Sequence, residues 1–285
     1  MKKWGFLLLG MSLFFIGGQV YSPGLDIELE SQLSSYETDK RAAELQEVEV
    51  NANQLHAGDL LLVNREYAAE EQGIKQDLID LTIQQELVEG FSIFEKELVL
   101  SKEIANRFVE MMAAARTDGV SNFVMTSGYR SFSQQEALYE EMGSSFALPA
   151  GHSEHHLGLS LDVGSTEMKM EKAPEGKWIE ENSWKYGFIL RYPKDKTDVT
   201  GIEYEPWHIR YVGLPHSVIM KEKNFVLEEY LVYLKNEKRI SATVNDKNYL
   251  ISYYPVSEAE NIRVQKGSSY EISGDNMEGI IVTEF

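Results

Sequence analysis

Three of the six histidines crowd into the short segment from Gly151 to Gly158, and Asp162 follows shortly after it. Neutral imidazoles and a carboxylate brought together by a turn and a strand form a site for a borderline divalent metal such as zinc. Seven positions separate His155 from Asp162, and an odd spacing within one strand would place the two side chains on opposite faces. We therefore expect His155 on the turn before the strand. Spacing alone does not choose between His155 and its neighbour His156.

A third candidate ligand lies in the motif Glu205-Pro-Trp-His208. Pro206 restricts the backbone and would hold the acid and the imidazole close together beside the bulky Trp207. Three protein ligands leave one position of a metal open, and a carboxylate that is not a ligand can take a proton from water. This is the combination that metal-dependent hydrolysis requires. Glu205 is therefore the candidate general base, and His208 is the candidate third ligand.

The remaining residues of suitable type carry weaker signals. Arg130 follows the turn Ser127-Gly-Tyr129 and is better placed than most arginines to bind an anionic group, although an arginine is by default a surface residue. His56 and His216 stand alone in the sequence, as packing and surface histidines usually do. Composition and spacing are thus compatible both with a metal site and with histidines that only cap, pack or titrate.

The hydrophobic pattern predicts mixed α and β elements around these motifs. Apolar residues recur at helical spacing from Ile104 to Ala115, after a Ser101 cap and before a stop at Gly119. A second helix is predicted after a Ser133 cap. Further helices are predicted at 177–186 and 226–234, and strands at 60–63, 122–126, 157–163, 188–192, 241–244, 248–254, 262–264 and 280–282.

Composition limits the class of protein. The chain has 285 residues, 43% of them apolar, which is enough for one main domain with an appendage. Its formal net charge of −19 would repel a nucleic-acid backbone, so no nucleic-acid partner is expected. The absence of cysteine excludes disulfides, thiolate zinc sites and cysteine nucleophiles.

The N-terminal sequence predicts export. Lys2 and Lys3 precede an apolar run from Trp4 to Gly18 that only Ser12 interrupts, and no further charge occurs before Asp26. Basic residues followed by an apolar stretch are typical of a signal or anchor segment. No A-x-A pattern follows, so we interpret residues 1–25 as an uncleaved membrane anchor and the acidic stretch 26–55 as a tether.

Three motifs resemble the VanY D,D-carboxypeptidases of glycopeptide-resistance clusters, which belong to the zinc D-Ala-D-Ala peptidase family. They are SGYRSFSQQ at 127–135, GHSEHHLGLSLDVG at 151–164 and EPWHIRYVG at 205–213. The stretches APEGKWIEENSWKYGFILRYP and LPHSVIMKEKNFVLEEYL, the N-terminal anchor and the β-rich tail extend the resemblance over nearly the whole chain.

The resemblance implies a role for each candidate residue. His155, Asp162 and His208 match the zinc ligands of the family, which decides between His155 and His156. Glu205 matches the catalytic base, and Arg130 matches the residue that steadies the scissile carbonyl as it gains charge. The residues that would contact substrate are Ser153, Gln135, Tyr129 and Trp207.

The implied fold is α+β, with a central antiparallel sheet, flanking helices and a small β-rich C-terminal appendage. The zinc D,D-carboxypeptidase domain would span 56–236, and the appendage 237–285. The implied enzyme holds one Zn²⁺ per chain and removes the C-terminal D-Ala from peptidoglycan precursor peptides ending in D-Ala-D-Ala. It would act at the extracytoplasmic face of a bacterial membrane and contribute to resistance against vancomycin-type antibiotics.

Three other functions compete with this interpretation. A serine carboxypeptidase of the penicillin-binding class needs Ser-x-x-Lys, and no serine of this chain has a lysine three residues later. A D,D-dipeptidase would share the zinc motifs but take only the free dipeptide. A zinc-bearing interaction module without catalysis, like the hedgehog signalling domain, would have no need of the base Glu205 or of Arg130.

Overall fold

The computed structural model describes residues 26–28, 45–143, 147–259 and 261–285. The predicted anchor at 1–25 and most of the predicted tether lie outside these residues. Within the described ranges, no helix is both long enough and apolar enough to cross a membrane.

The described residues form fourteen strands and six α-helices. The strands are β1 (Asp26–Glu28), β2 (Leu45–Glu49), β3 (Leu78–Asp80), β4 (Ser92–Ile93), β5 (Val99–Ser101), β6 (Phe123–Ser127), β7 (Ser160–Ser165), β8 (Phe188–Tyr192), β9 (Glu205–Tyr211), β10 (Arg239–Val244), β11 (Lys247–Pro255), β12 (Asn261–Gln265), β13 (Tyr270–Gly274) and β14 (Gly279–Glu284). The helices are α1 (Lys102–Thr117), α2 (Phe132–Met142), α3 (Pro174–Asn182), α4 (Thr197–Thr200), α5 (His216–Lys223) and α6 (Leu227–Glu237).

A five-stranded sheet with the order β4-β6-β7-β9-β8 forms the centre of the molecule. The short edge strand β4 runs parallel to β6, and every other neighbouring pair is antiparallel. In the pairing of β7 with β9, Asp162 lies directly opposite His208. The predicted α+β fold with a central antiparallel sheet is confirmed, and its register brings two of the candidate ligands together.

Helix α1 covers this sheet with the apolar face that the sequence predicts. Ser101 caps the helix, because its Oγ accepts a hydrogen bond from the Ile104 backbone nitrogen at 3.4 Å. Phe108 is fully buried and packs edge to face against Phe188 of β8, with ring centroids 6.4 Å apart. The helix and the sheet share one hydrophobic core, which gives side chains on β7 and β9 a rigid base.

The C-terminal strands form a second sheet with the order β1-β10-β11-β14-β13, beside a two-stranded pair of β2 and β12. This second sheet shares a hydrophobic core with α5, α6 and the segment 60–62; its buried members include Leu60, Leu62, Ile219, Leu231, Ile251 and Ile281. The boundary at residue 237 stays a prediction. The strands beyond it nevertheless bury their apolar side chains against the helices before it, and two parts of the predicted tether pair with them as β1 and β2.

Several local predictions differ from the structure. Segment 60–63 is fully buried but irregular, because its apolar side chains fill the two cores without pairing in a sheet. Helix α2 begins after Ser131 and not after Ser133, since Ser131 forms a capping box with Gln134. Strand β9 was not predicted, because Pro206 argues against a strand. The proline is tolerated because β7 pairs with β9 only from His208 onward.

Candidate active site

The three candidate ligands lie together on and beside β7 and β9, two neighbouring interior strands of the central sheet. His155 lies on the 3-10 turn Glu154–Leu157 before β7, as the spacing predicts, whereas Asp162 and His208 face each other from β7 and β9. The His155 Nε2 atom is 3.4 Å from Asp162 Oδ2, and the His208 Nδ1 atom is 3.0 Å from Asp162 Oδ1. One ligand atom from each residue lies within 4.8 Å of the other two. This spacing suits a single cation between them.

Each imidazole is oriented by a hydrogen bond on its other nitrogen. His155 Nδ1 lies 2.6 Å from the Gly128 carbonyl oxygen and can only donate to it, which leaves the Nε2 lone pair facing the cluster. His208 Nε2 lies 3.3 Å from Glu154 Oε2 and can donate to it, so Nδ1, on the Asp162 side, is the nitrogen that would face a metal ion. Two nitrogen donors and one carboxylate form a ligand set that zinc takes in catalytic sites, so the residues fit the metal.

Electrostatics at the cluster favour a cation. Burial alone would raise the pKa of Asp162, but His155 and His208 outweigh it and hold that pKa well below its usual range. Burial opposes the charged form of His208, but hydrogen bonds to Asp162 and Glu154 outweigh it and raise the pKa of His208 to about 9. The two carboxylates that stabilise a proton on this imidazole would also stabilise a divalent cation that replaces the proton.

Glu154 holds a position at the cluster that the sequence did not reveal. Its Oε1 accepts hydrogen bonds from Arg191 Nε and Arg210 Nη1, both at 2.8 Å, while its Oε2 faces His208. The carboxylate is fully buried, yet the two arginines outweigh the cost of burial and hold the pKa of Glu154 well below its usual range. Glu154 is therefore a buried anion that orients His208, and its lowered pKa makes it a poor proton acceptor.

The sequence contained only a faint signal for this ion network. Arg210 lies two residues after His208 and so shares its face of β9. Arg191 lies on β8 and also binds Glu228 of α6 through both terminal nitrogens, at 2.9 and 2.7 Å. The network therefore links the three candidate ligands to α6. Its residues are far apart in the sequence, and only the fold brings them together.

Glu205 lies at the start of β9 beside the cluster and is half-buried. Among the described residues, none forms a hydrogen bond or ion pair with its carboxylate, in contrast to Glu154. Burial raises the pKa of Glu205, and the negative charges of Asp162 and Glu154 add to the effect, while His208 opposes it. A carboxylate whose affinity for a proton is raised and whose oxygens are free suits a general base that later returns the proton.

The cluster opens into a cleft of about 500 Å³, and Arg130, Gln135, Ser153 and Trp207 also line it. Arg130 is held in place because its Nη1 donates to Gln135 Oε1 at 2.8 Å and its Nη2 donates to Ser127 Oγ at 3.1 Å. Gln135 is itself fixed by donating to the Leu148 carbonyl oxygen at 2.6 Å. The cleft therefore presents a positioned guanidinium close to the three candidate ligands.

Tyr129 is the one predicted site residue that the structure does not bring into this cleft. Its side chain lines a separate depression with Lys75 and Phe132. Adjacent residues of an extended segment point to opposite sides, so placing Arg130 in the cleft turns Tyr129 away from it. That Tyr129 contacts the substrate stays a prediction.

The other histidines have structural partners. His156 accepts a hydrogen bond from the Gly151 backbone nitrogen at 3.0 Å, and its Nδ1 lies 2.7 Å from the Arg130 carbonyl oxygen. His216 is buried, which lowers its pKa to about 3, and it contacts the hydroxyls of Tyr230 and Thr283. Neither histidine faces the cluster.

Comparison with known proteins gives consistent matches. The family model described as VanY, D-alanyl-D-alanine carboxypeptidase, matches residues 97–214. A D-alanyl-D-alanine carboxypeptidase of Enterococcus faecium is 51% identical over 293 aligned residues, covering 100% of this chain and 97% of the relative.

Two solved structures extend the similarity to the fold. The vancomycin-resistance D,D-dipeptidase VanXYg, in complex with a D-Ala-D-Ala phosphinate analogue, has a TM-score of 0.73 at 30% identity and covers 84% of this chain and 98% of that chain. The vancomycin-resistance D,D-pentapeptidase VanY from a VanB-type cassette, solved as a mutant with Zn(II), has a TM-score of 0.50 at 30% identity and covers 61% of this chain and 98% of that chain. Both are vancomycin-resistance peptidases.

Proposed function

The chain belongs to the VanY family of D-alanyl-D-alanine carboxypeptidases, related to the vancomycin-resistance enzymes, and from this premise we propose that it is a zinc-dependent enzyme that removes the terminal D-Ala from peptidoglycan precursor peptides. The observation that carries the proposal is the convergence of His155, Asp162 and His208 beside a free, half-buried carboxylate. That combination suits hydrolysis at a metal and has no purpose in a purely structural zinc site.

The chain's own residues supply the proton transfers and the positioning. His155 Nε2, an oxygen of Asp162 and His208 Nδ1 would hold zinc, which when bound supplies Lewis acidity at the scissile carbonyl. Glu205 takes a proton from the attacking water and returns it to the nitrogen of the departing D-Ala. Arg130, held by Gln135 and Ser127, offers hydrogen bonds to the carbonyl oxygen as negative charge develops there.

The relatives support the substrate class. VanXYg binds a D-Ala-D-Ala phosphinate analogue, and the Enterococcus faecium relative is a D-alanyl-D-alanine carboxypeptidase. We infer that Gln135, Ser153 and Trp207, which line the cleft, contact the D-Ala-D-Ala end of a precursor pentapeptide. A precursor that has lost its last D-Ala would be a poor ligand for vancomycin-type antibiotics, so we propose a contribution to glycopeptide resistance.

Metal removal tests the proposed chemistry. We expect a chelator to abolish D-Ala release from a pentapeptide and added Zn²⁺ to restore it, because zinc held by the three candidate ligands would be the electrophile that the reaction needs. Penicillin should have no effect, since the chain contains no Ser-x-x-Lys. The measurement is D-Ala release from the pentapeptide and, in parallel, from free D-Ala-D-Ala. Stoichiometric inhibition by penicillin would contradict the mechanism, and cleavage of the dipeptide alone would identify a dipeptidase.

We further propose that the enzyme is attached to a membrane and acts outside the cytoplasm. Lys2 and Lys3 followed by the apolar run 4–18 support this location. The full-length chain should then fractionate with membranes, and protease added to intact cells should degrade its catalytic part. Recovery of the full-length chain in the cytosolic fraction would count against the proposal.

A further inference from the structure

The catalytic cleft continues into a second cavity of about 190 Å³. Four residues line both spaces, which makes the second cavity an extension of the first; they are Arg65, Ala147, Leu148 and His152. Tyr139 and Pro149 line the far part of the extension. A dipeptide does not need this extra space, because the cleft beside the three candidate ligands already measures about 500 Å³.

Arg65 stands where the two cavities meet, at the tip of a firmly held turn. The Asn64 side-chain oxygen accepts hydrogen bonds from the backbone nitrogens of Glu66 and Tyr67, at 2.9 and 3.1 Å. His152 Nδ1 lies 2.7 Å from the Asn64 carbonyl oxygen and donates to it, which joins the turn to the histidine-rich segment. The backbone of Arg65 is thus held in position without a ligand.

The guanidinium of Arg65 has no partner in the described part of the chain. It forms no hydrogen bond or ion pair there, and the residue is exposed. Arg130, the other arginine that lines the cleft, is already occupied by Gln135 and Ser127. In a chain with a formal net charge of −19, an unpaired arginine at the junction of two connected cavities is available to bind an anion of the ligand.

The chemistry of the reaction decides which part of the substrate reaches this arginine. On the leaving side of the scissile bond a D,D-carboxypeptidase accepts only one small residue, D-Ala. Any further cavity must therefore receive the acyl side, which contains the rest of the peptide. In cell-wall precursor peptides the acyl side carries the free α-carboxylate of a γ-linked D-glutamate residue.

We propose that Arg65 forms an anion subsite for an acidic residue on the acyl side of the substrate, with His152 as the positioning residue that fixes its turn. The proposal rests on the proposed function and deepens it. The enzyme selects precursor peptides with a free α-carboxylate on the second residue over peptides in which this group is an amide. The dipeptide and short acylated tripeptides do not reach the subsite.

Two pentapeptides that differ only at that group test the proposal. They carry either the α-carboxylate or the α-carboxamide on the γ-linked D-glutamate, and a diacetylated L-Lys-D-Ala-D-Ala tripeptide serves as the short substrate. With the zinc-loaded full chain, Arg65→Gln should raise KM for the carboxylate peptide roughly 10- to 100-fold, the range of a charge-assisted hydrogen bond. The kcat should stay within about twofold, because Arg65 does not touch the reacting atoms. Values for the amide peptide and the tripeptide should not change.

Two variants provide the controls. Arg65→Lys keeps the charge and should recover part of the preference for the carboxylate. Arg116→Gln removes the same charge from an exposed site where the arginine pairs with Glu89, and all three substrates should be unaffected. In addition, raising the salt concentration should reduce the carboxylate preference of the unmodified enzyme but not that of Arg65→Gln.

The outcomes separate the subsite from the proposed function. If the unmodified enzyme releases D-Ala from both pentapeptides and Arg65→Gln weakens both equally, Arg65 binds the terminal carboxylate or supports the fold, and the subsite is wrong. Unchanged kinetics on the carboxylate peptide would overturn it as well. If the unmodified enzyme releases no D-Ala, the proposed function fails, and calorimetric binding of both pentapeptides to each form still decides the subsite.

Discussion

Replacement of Glu205 by glutamine is expected to lower the turnover of a pentapeptide by roughly 10²–10⁴ while leaving one zinc ion per chain. The amide keeps the shape of the carboxylate but cannot accept a proton. Since Glu205 makes no hydrogen bond to a described residue and lies beside the three ligands without being one of them, its loss should not disturb the metal. The measurement is D-Ala release at saturating substrate, with zinc content by elemental analysis on the same samples.

A nearby carboxylate provides the matched control for this variant. Glu203→Gln removes the same charge two residues earlier, from an exposed side chain, and turnover should stay within a few-fold. Equal losses in both variants would indicate a general electrostatic effect of the cleft. Wild-type turnover in Glu205→Gln would exclude Glu205 as the base. Glu154 is a poor substitute, because its hydrogen bonds from Arg191 and Arg210 lower its affinity for a proton and its carboxylate is fully buried.

The candidate ligands could be named from the sequence because each lies in a short motif, although only the resemblance to the VanY family chose His155 over His156. The turn before β7 follows from the spacing of His155 and Asp162, and the structure confirms it. Gly158 ends that turn in the left-handed conformation at φ 74°, where a Cβ would lie 2.8 Å from Leu78. The sequence of this turn therefore contains the candidate ligand His155 and the glycine that directs the chain into β7.

The environment of the ligands could not be predicted, because it depends on contacts between residues far apart in the sequence. Glu154 and Arg191 are 37 positions apart, and Glu154 and Arg210 are 56 apart. No periodicity connects them. Tyr129 lines a different depression from its chain neighbour Arg130, so sequence adjacency alone does not place both side chains in the cleft.

The elements of the fold were predicted most accurately where the hydrophobic pattern extended over many residues or a capping residue was present. Helix α1 and strand β8 match their predicted positions closely. No hydrophobic periodicity in the sequence predicts how the C-terminal strands pack against the main domain. Leu60 and Leu62 give the pattern of a strand, yet they serve a core shared by α5, α6 and the second sheet. An apolar run indicates that its side chains are buried, but it does not indicate which element they pack against.

Replacement of His208 by alanine should, in contrast to Glu205→Gln, remove the metal itself. His208 Nδ1 faces Asp162 at 3.0 Å, and Glu154 holds the ring in that orientation, so alanine deletes a ligand and leaves two. We expect the affinity for zinc to fall by more than about 100-fold, because even residues that only orient a ligand contribute about 10–100-fold. Turnover should then be lost together with the zinc, and added Zn²⁺ should no longer stabilise the protein against unfolding.

A second buried histidine distinguishes loss of a ligand from loss of packing. His208 and His216 have relative exposures of 5% and 3%, but among the described residues the ring nitrogens of His216 contact Tyr230 and Thr283 and none of the candidate ligands. His216→Ala should lower the free energy of unfolding and keep zinc near one ion per chain, since its contacts lie away from the cluster. The measurements are zinc content and thermal unfolding with and without added Zn²⁺ for both variants. If His208→Ala retained a full complement of zinc, His208 would not be a ligand, and the metal would have to be held by a different set of residues.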